Sequence, residues 1–420
     1  MIEELQHYIG TDEDKLVLTN VIAVLFTASI HNIHGPEVCD LVSASPIILN
    51  LLYKLLTDSE FKDDDPILFL ATGNLTNISK YEAGRSAILG CNGLQANEWP
   101  SRGVLALINS LQSRDSNVVI VAITAVHNLL LDRRMEVQDI AKKQLNHAGG
   151  IKYIVKQLAN QHLVTNYEFK VIVLDCLQIL AYGNMENRLT ILESGGPRLL
   201  LTTIKENLGN LPTEELVETA SRVLKSLSVC PENKKSIIRN HGIEILTQCI
   251  KLDNQEILKT CLWTLRNLSD VINNTEPDHR YINHLVERLL EILNHYAEEP
   301  CIVTCALGVL ANLTCNNEPI KQFICDYNGI ELLLGAIDIA LRDSIDFRIV
   351  NNEILEPAVC ALCHLLNQPS YARLEVERQR IRSRFQAFAS LRWTPNEDLA
   401  KAVHKLISLL GENDSKLFHL

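Results

Sequence analysis

Apolar and polar positions along this chain recur on two scales. The short scale is helical: a small residue, an aliphatic residue four places later, a polar slot at six and another aliphatic residue at seven. The long scale returns that string about eight times, with slots at Asn32, Asn77, Asn128, Ile179, Ser226, Asn267, Asn312 and His364. Helical residues advance about 100° each, so offsets −6, −2 and +1 from the slot fall within roughly 60° of one another and form a buried face. Offsets −4, −1 and 0 point the opposite way. In a stack of parallel helices they line one shared surface.

A helical repeat of this size is the signature of a HEAT or armadillo solenoid. The pattern therefore predicts an all-α fold, a right-handed α-α superhelix. Its repeats share one core, so residues 1–420 read as a single domain of about nine repeats: 1–44, 45–93, 94–149, 150–195, 196–241, 242–285, 286–328, 329–370 and 371–420. Each repeat is expected to hold a long helix ending near the slot, a tight turn, and one or two shorter helices. Glycines at Gly93, Gly149-Gly150, Gly195-Gly196, Gly242 and Gly329 are expected to supply the left-handed conformation that stops a helix. Longer loops are expected at Asn273–Arg280, Leu341–Glu356 and Gln95–Gly103. Arg373–Arg392 reads as an irregular repeat or a helix with a solvated face, and Leu399–Leu410 as a capping helix.

Composition narrows the function classes. Hydrophobic residues make up 47% of the chain but aromatics only 5%, which suits helix faces of Leu, Ile, Val and Ala. The acidic N-terminus has no signal-peptide architecture, and the apolar stretch Leu16–Ile30 is too short to span a bilayer. Twelve scattered cysteines do not form a secreted disulfide framework. The expected setting is cytosol or nucleus, where sequons such as that at Asn74 are chance matches. A net charge of −12 argues against direct binding of nucleic acid or acidic membrane. No phosphate loop, zinc spacing or hydrolase motif occurs, so no enzyme and no cofactor is expected. Cys360-Ala-Leu-Cys363-His364 has the spacing of a haem attachment site but lies in an apolar helical repeat, and reads as ordinary helix cysteines.

The outward strip is where ligand chemistry concentrates. Offset −4 gives Asp175, Arg222, Trp263 and Gly308, among others; offset −1 gives His127, Lys225 and Arg266. Asparagine fills the slot in five of the eight repeats. An amide both donates to and accepts from a peptide backbone, so the row suits an extended chain. Its alternative use is to hydrogen-bond the protein's own helices.

The string Thr260-Cys-Leu-Trp-Thr-Leu-Arg-Asn-Leu-Ser-Asp270 resembles the sixth armadillo repeat of the β-catenin family. Asp175-Cys-Leu-Gln-Ile-Leu-Ala-Tyr-Gly-Asn184, Ser221-Arg-Val-Leu-Lys-Ser-Leu-Ser-Val-Cys230 and Asn312-Leu-Thr-Cys-Asn-Asn317 resemble other repeats of it. The resemblance implies a groove for acidic, extended tails of cadherins and TCF/LEF transcription factors, with APC and axin as further candidates. It implies cell–cell adhesion or Wnt signalling to transcription, in the cytoplasm, nucleus and adherens junction, by a monomer. By the same resemblance Arg188 stands where a family lysine grips acidic ligand residues, and Lys321 matches a second such lysine. Arg222, Lys225, Trp263, Arg266, Asn267 and Asn312 lie between them; Tyr182 and Asn316 belong to the matching strings. Lys170, His127 and Asn128 match the groove at repeats three and four, His364 at repeat eight and Lys401 in the last repeat. Departures fall at the ends: Ile120-Val121 replaces an aromatic pair, Cys363 an arginine and Ser408 another. The family's phosphodegron, α-catenin-binding helix and long C-terminal tail have no counterpart, which reads as a truncated or a divergent member. An importin-α-like receptor for basic peptides is the competing reading. It would need repeated Trp-x-x-x-Asn pairs, and only Trp263 with Asn267 provides one.

Overall fold

A computed structural model describes residues 12–91, 99–163, 165–272, 279–347, 351–367, 381–382 and 396–410. The expected features at Gly93 and over most of 373–392 lie outside these residues, as do parts of the expected loops at 95–103 and 273–280. Among the described residues the regular structure is helical. No single helix among them is long and apolar enough to cross a membrane. The chain forms two compact units, Met1–Cys230 and Pro231–Leu420.

In the first unit the helices are α1 (Asp12–Ser29), α2 (Gly35–Ala44), α3 (Pro46–Thr57), α4 (Asp65–Ser79), α5 (Glu82–Ile88), α6 (Arg102–Ser110), α7 (Ser116–Leu130), α8 (Met135–His147), α9 (Gly150–Gln157), α10 (Tyr167–Ala181), α11 (Met185–Glu193), α12 (Gly196–Asn207) and α13 (Glu214–Leu227). The second unit holds α14 (Pro231–Arg239), α15 (Gly242–Cys249), α16 (Gln255–Ile272), α17 (His279–His295), α18 (Pro300–Thr314), α19 (Glu318–Asp326), α20 (Gly329–Phe347), α21 (Asn352–Leu366) and α22 (Glu397–Leu410). The long helices α4, α7, α10, α13, α16, α18 and α21 carry the slots. Several open on an Asx cap: Asp64 accepts from the Ile67 amide, Asn166 from Phe169 and Asn254 from Ile257. Each such cap stabilises its helix by about 1 kcal/mol.

From the second repeat onward the buried face is the expected one. Ala71, Leu75 and Ile78, then Ala122, Val126 and Leu129, and so on to Ala358, Leu362 and Leu365, are at most 1% exposed. Burying each Leu or Val contributes roughly 1.5–3 kcal/mol, which holds the stack together. The first repeat departs from the pattern. α1 ends at Ser29, Asn32 lies in the turn beyond it, and Ile30 and Ile33 are 51% and 73% exposed. Leu18 and Ile22 are buried instead. Gly35 packs so closely that a Cβ there would lie 2.7 Å from the Ser29 carbonyl oxygen, and Pro36 follows; the chain turns before the slot is reached.

Two further expectations are corrected. Leu341–Glu356 is not a long loop: α20 runs on to Phe347 and α21 begins at Asn352, because apolar residues at helical spacing (Ile337, Ala340, Leu341, Ile345) carry the pattern through. The glycine breaks also split into two kinds. Gly149 and Gly195 do adopt the left-handed conformation, with φ of 72° and 80°. Ahead of α15 and α20 the left-handed residues are His241 and Asn328, and the glycine after each is needed for close packing. A Cβ on Gly242 would lie 2.6 Å from the Ile237 carbonyl oxygen, and one on Gly329 2.8 Å from that of Ile324.

The slot amides stitch neighbouring repeats together. Asn77 Nδ2 donates to Ser29 Oγ at 2.8 Å and Asn128 Nδ2 to Ser79 Oγ at 2.9 Å. Asn312 Nδ2 donates to Ser269 Oγ at 2.8 Å. Each serine passes its own proton to a carbonyl three residues back, at Phe26, Thr76 and Arg266. The amide thus anchors on the end of the preceding repeat's long helix through a serine, and the serine in turn satisfies a carbonyl there. Asn128→Ala is expected to cost about 1 kcal/mol, the usual value of one such bond. Urea unfolding of the variant against the parent chain measures it.

Candidate functional site

In the first unit the outward surface is built by α7, α10 and α13. His127 and Asn128 are half-buried in the last turn of α7. Burial pushes the His127 pKa down, against the pull of Asp175. Asp175, on α10, is pushed up by burial, with His127 and Arg222 opposing. Lys170 lies in the first turns of α10 and is only 6% exposed. Arg222 Nη2 on α13 meets Glu218 Oε1 at 3.0 Å, while its Nε is buried with no hydrogen-bond partner. Lys225 follows one turn later, half-buried. Tyr182, 74% exposed, terminates α10. Arg188 reaches back from α11, its Nε donating to the Ala181 carbonyl at 2.9 Å. Tyr167 donates to Glu215 Oε2 at 2.5 Å.

These contacts add Glu215 and Glu218 to the Asp175 already expected on the strip. Asp175, Glu215 and Glu218 alternate with Lys170, Arg222 and Lys225, and the half-buried histidine is held neutral rather than cationic. A ligand meets a surface of both signs here.

The second unit gathers its residues more tightly. Trp263 on α16 is 39% exposed, and the Arg266 guanidinium lies 5.3 Å from its ring centroid. A Cβ on Gly308 of α18 would sit 3.0 Å from Arg266 Nε, so the missing side chain lets the arginine lie flat across that helix. Arg266, Gly308, Asn312, Glu353, Glu356, Cys360 and His364 line one cleft of about 360 Å³. His364 Nδ1 lies 3.1 Å from the Ala311 carbonyl and 3.2 Å from Thr314 Oγ1, which repeats the stitch that the slot asparagines make. Burial lowers its pKa, and the nearby Lys405 and Lys321 lower it further, so the ring is neutral at neutral pH.

The remaining expected residues are placed as follows. Asn267 is half-buried in α16. Asn316 sits in the turn after α18 with φ of 54°, and its neighbour Asn317 caps α19 by accepting from the Ile320 amide. Lys321 on α19 is 4% exposed, with Nζ 2.5 Å from Glu318 Oε1. It is a buried cation with an acidic partner in place. Lys401 does not line the cleft. It is exposed on α22 and paired with Glu397 at 2.6 Å. Three offset −1 positions, Thr76, Ala311 and Cys363, are buried rather than outward. Thr76 Oγ1 shows the reason: it donates to the Val121 carbonyl of the next long helix at 2.8 Å, so the neighbouring repeat covers the position.

The acidic residues were missed because the outward face was read from only three offsets. Positions −8 and −11 lie on the same arc, by the 100° step of the helix. They hold Glu218 and Glu215 for the slot at Ser226, and Glu356 and Glu353 for the slot at His364. The signal was in the sequence, one turn further back.

Among the described residues no group of three or more His, Cys, Asp or Glu side chains is placed to hold a metal ion. A family model described as Armadillo/beta-catenin-like repeat matches residues 230–270. Human junction plakoglobin is 37% identical over 341 residues, covering 81% of this chain and 41% of plakoglobin. Catenin beta of Urechis caupo is 34% identical over 402 residues, 95% of this chain and 44% of that protein. The chain therefore spans about two fifths of the length of these curated relatives. A solved structure from work on a phosphorylation switch controlling the interaction between cadherin and β-catenin superposes with a TM-score of 0.67. It covers 92% of this chain and 68% of that one at 23% identity, a likeness of fold. Armadillo-type stacking of α-helices, ordered repeat strings and identity across most of the chain agree: the chain belongs to the β-catenin family of armadillo-repeat proteins.

Proposed function

We propose that this chain is a binding protein without enzymatic activity, whose outward helix strip holds acidic, extended polypeptide segments. The observation that carries the reading is the second-unit cleft. There Arg266 is stacked on Trp263 and seated across Gly308, beside Asn312 and His364. An arginine fixed in this way offers a planar fork for a carboxylate at little entropic cost. The adjacent Asn312, which donates to Ser269 Oγ, lines the same cleft. In the first unit the further contacts proposed are Lys170, Tyr182, Arg188, Arg222 and Lys225, with His127 and Asn128 as neutral hydrogen-bonding groups; in the second they are Asn267, Asn316 and Lys321, with His364 neutral.

The partners that fit are the cadherin cytoplasmic tail and TCF/LEF factors, with APC and axin as additional ligands of the same strip. The roles that follow are adhesion at cell junctions and Wnt signalling, in cytoplasm, nucleus and adherens junction. The solved β-catenin structure comes from work on cadherin binding, which supports the first partner by family likeness. Immobilised protein exposed to epithelial lysate tests the assignment: cadherin tail and TCF are expected among the retained proteins. Retention of neither contradicts it.

A further inference from the structure

The contact between Lys321 and Glu318 points to an internal competitor for the ligand. Lys321 is the cation of the repeat-seven end of the proposed groove. Its side chain is 5% exposed, while that of Glu318, three residues earlier on α19, is 60% exposed. The Glu318 carboxylate lies 2.5 Å from Lys321 Nζ. It occupies the first turn of α19, directly after the Asn317 cap, where the helix N-terminus favours negative charge. Lysine donates from a compact ammonium with three protons, and burial leaves little of it open. An incoming acidic side chain must therefore take the place that Glu318 already fills.

We infer that Glu318 is a built-in stand-in for the ligand's acid, and that it sets both the affinity and the salt response at Lys321. The inference rests on the acidic-peptide reading above. Binding at this position is an exchange: the ligand carboxylate pairs with Lys321, while Glu318 swings into water and rehydrates. One ion pair replaces another, so the net electrostatic gain is small and little of it is open to screening. Removing the competitor turns the exchange into the formation of a new pair. A partly exposed pair is worth about 0.2–1 kcal/mol, which converts to a gain of up to about fivefold in affinity. That gain is screened by salt, as the exchange is not.

The test uses the full chain and a fluorescein-labelled peptide of alternating Asp and Gly, with fluorescence anisotropy read over a range of ionic strength. Four proteins are compared: the parent, Glu318→Gln, Lys321→Met and the double variant, each first checked by thermal unfolding. Glu318→Gln is expected to bind about two- to fivefold tighter at low salt, with the advantage shrinking as salt rises. In the Lys321→Met background the same substitution is expected to change nothing. Unchanged or weaker binding by Glu318→Gln overturns the inference, because Glu318 would then be holding the lysine in place for the ligand. A gain that persists without Lys321 overturns it as well, showing a general charge effect. If the parent protein does not bind the acidic peptide at all, the groove reading itself fails and the inference goes with it.

Discussion

Asp132→Ala is expected to destabilise the first unit by about 3 kcal/mol, the lower end of the cost of breaking a buried ion pair. The carboxylate follows α7 and its side chain is 1% exposed. It accepts from Arg85 Nε of the preceding repeat at 2.7 Å and from Arg134 Nη2 at 2.9 Å, while Arg134 Nη1 continues to Glu82 at 2.8 Å. Losing the carboxylate leaves Arg85, itself 15% exposed, without its acidic partner. Bonds to the Ser79 and Lys80 carbonyls keep the loss from being larger. Burial alone would push the Asp132 pKa up, but hydrogen bonds from Arg134 and Arg85 outweigh it and hold the carboxyl well below its usual range. A folded pKa below the unfolded one means that the unfolded chain takes up the proton first. The contribution is thus fully present above about pH 4, near the ordinary aspartate value, and is lost as pH falls toward the folded pKa. Urea unfolding from pH 7 downward should show the parent losing stability in acid and the variant losing less.

Arg266→Glu is expected to weaken binding of an acidic peptide by about 1.5–3 kcal/mol, the range for a hydrogen bond to a charged group. In affinity that is roughly 10- to 150-fold. The effect on folding should be much smaller, within about 1 kcal/mol, because the half-buried side chain gives up little beyond its stacking on Trp263. Calorimetric titration together with a thermal melt separates the two quantities. A variant that melts normally and binds as the parent does would remove Arg266 from the site.

Much of this architecture was legible from periodicity alone. The 3.6-residue period located the buried face in every long helix from α4 to α21, because each of those faces must disappear into a neighbouring repeat. It failed at Asn32, because the first long helix ends at Ser29, before the slot is reached. The repeats read as a single domain, whereas the chain forms two compact units, divided in sequence after Cys230, a division that no composition shift marks. The candidate site was legible as residue identities but not as charges. Arg266, Asn312 and His364 share a cleft as their common offsets imply, yet Glu318, Glu353 and Glu356 stand beside the expected cations. Pairing between neighbours depends on which rotamers meet, and spacing says nothing of that. The asparagine row shows the same limit. Asn77, Asn128 and Asn312 anchor one repeat to the next, a use that the row's spacing does not reveal.

The decisive measurement is a calorimetric titration of the purified chain with a cadherin-tail peptide rich in Asp and Glu, run beside a peptide in which every acid is replaced by lysine. The acidic peptide should saturate one site per chain, with an affinity that falls as salt is raised, and the lysine peptide should give no saturable heat. Equal binding of both peptides, or of neither, would contradict the account.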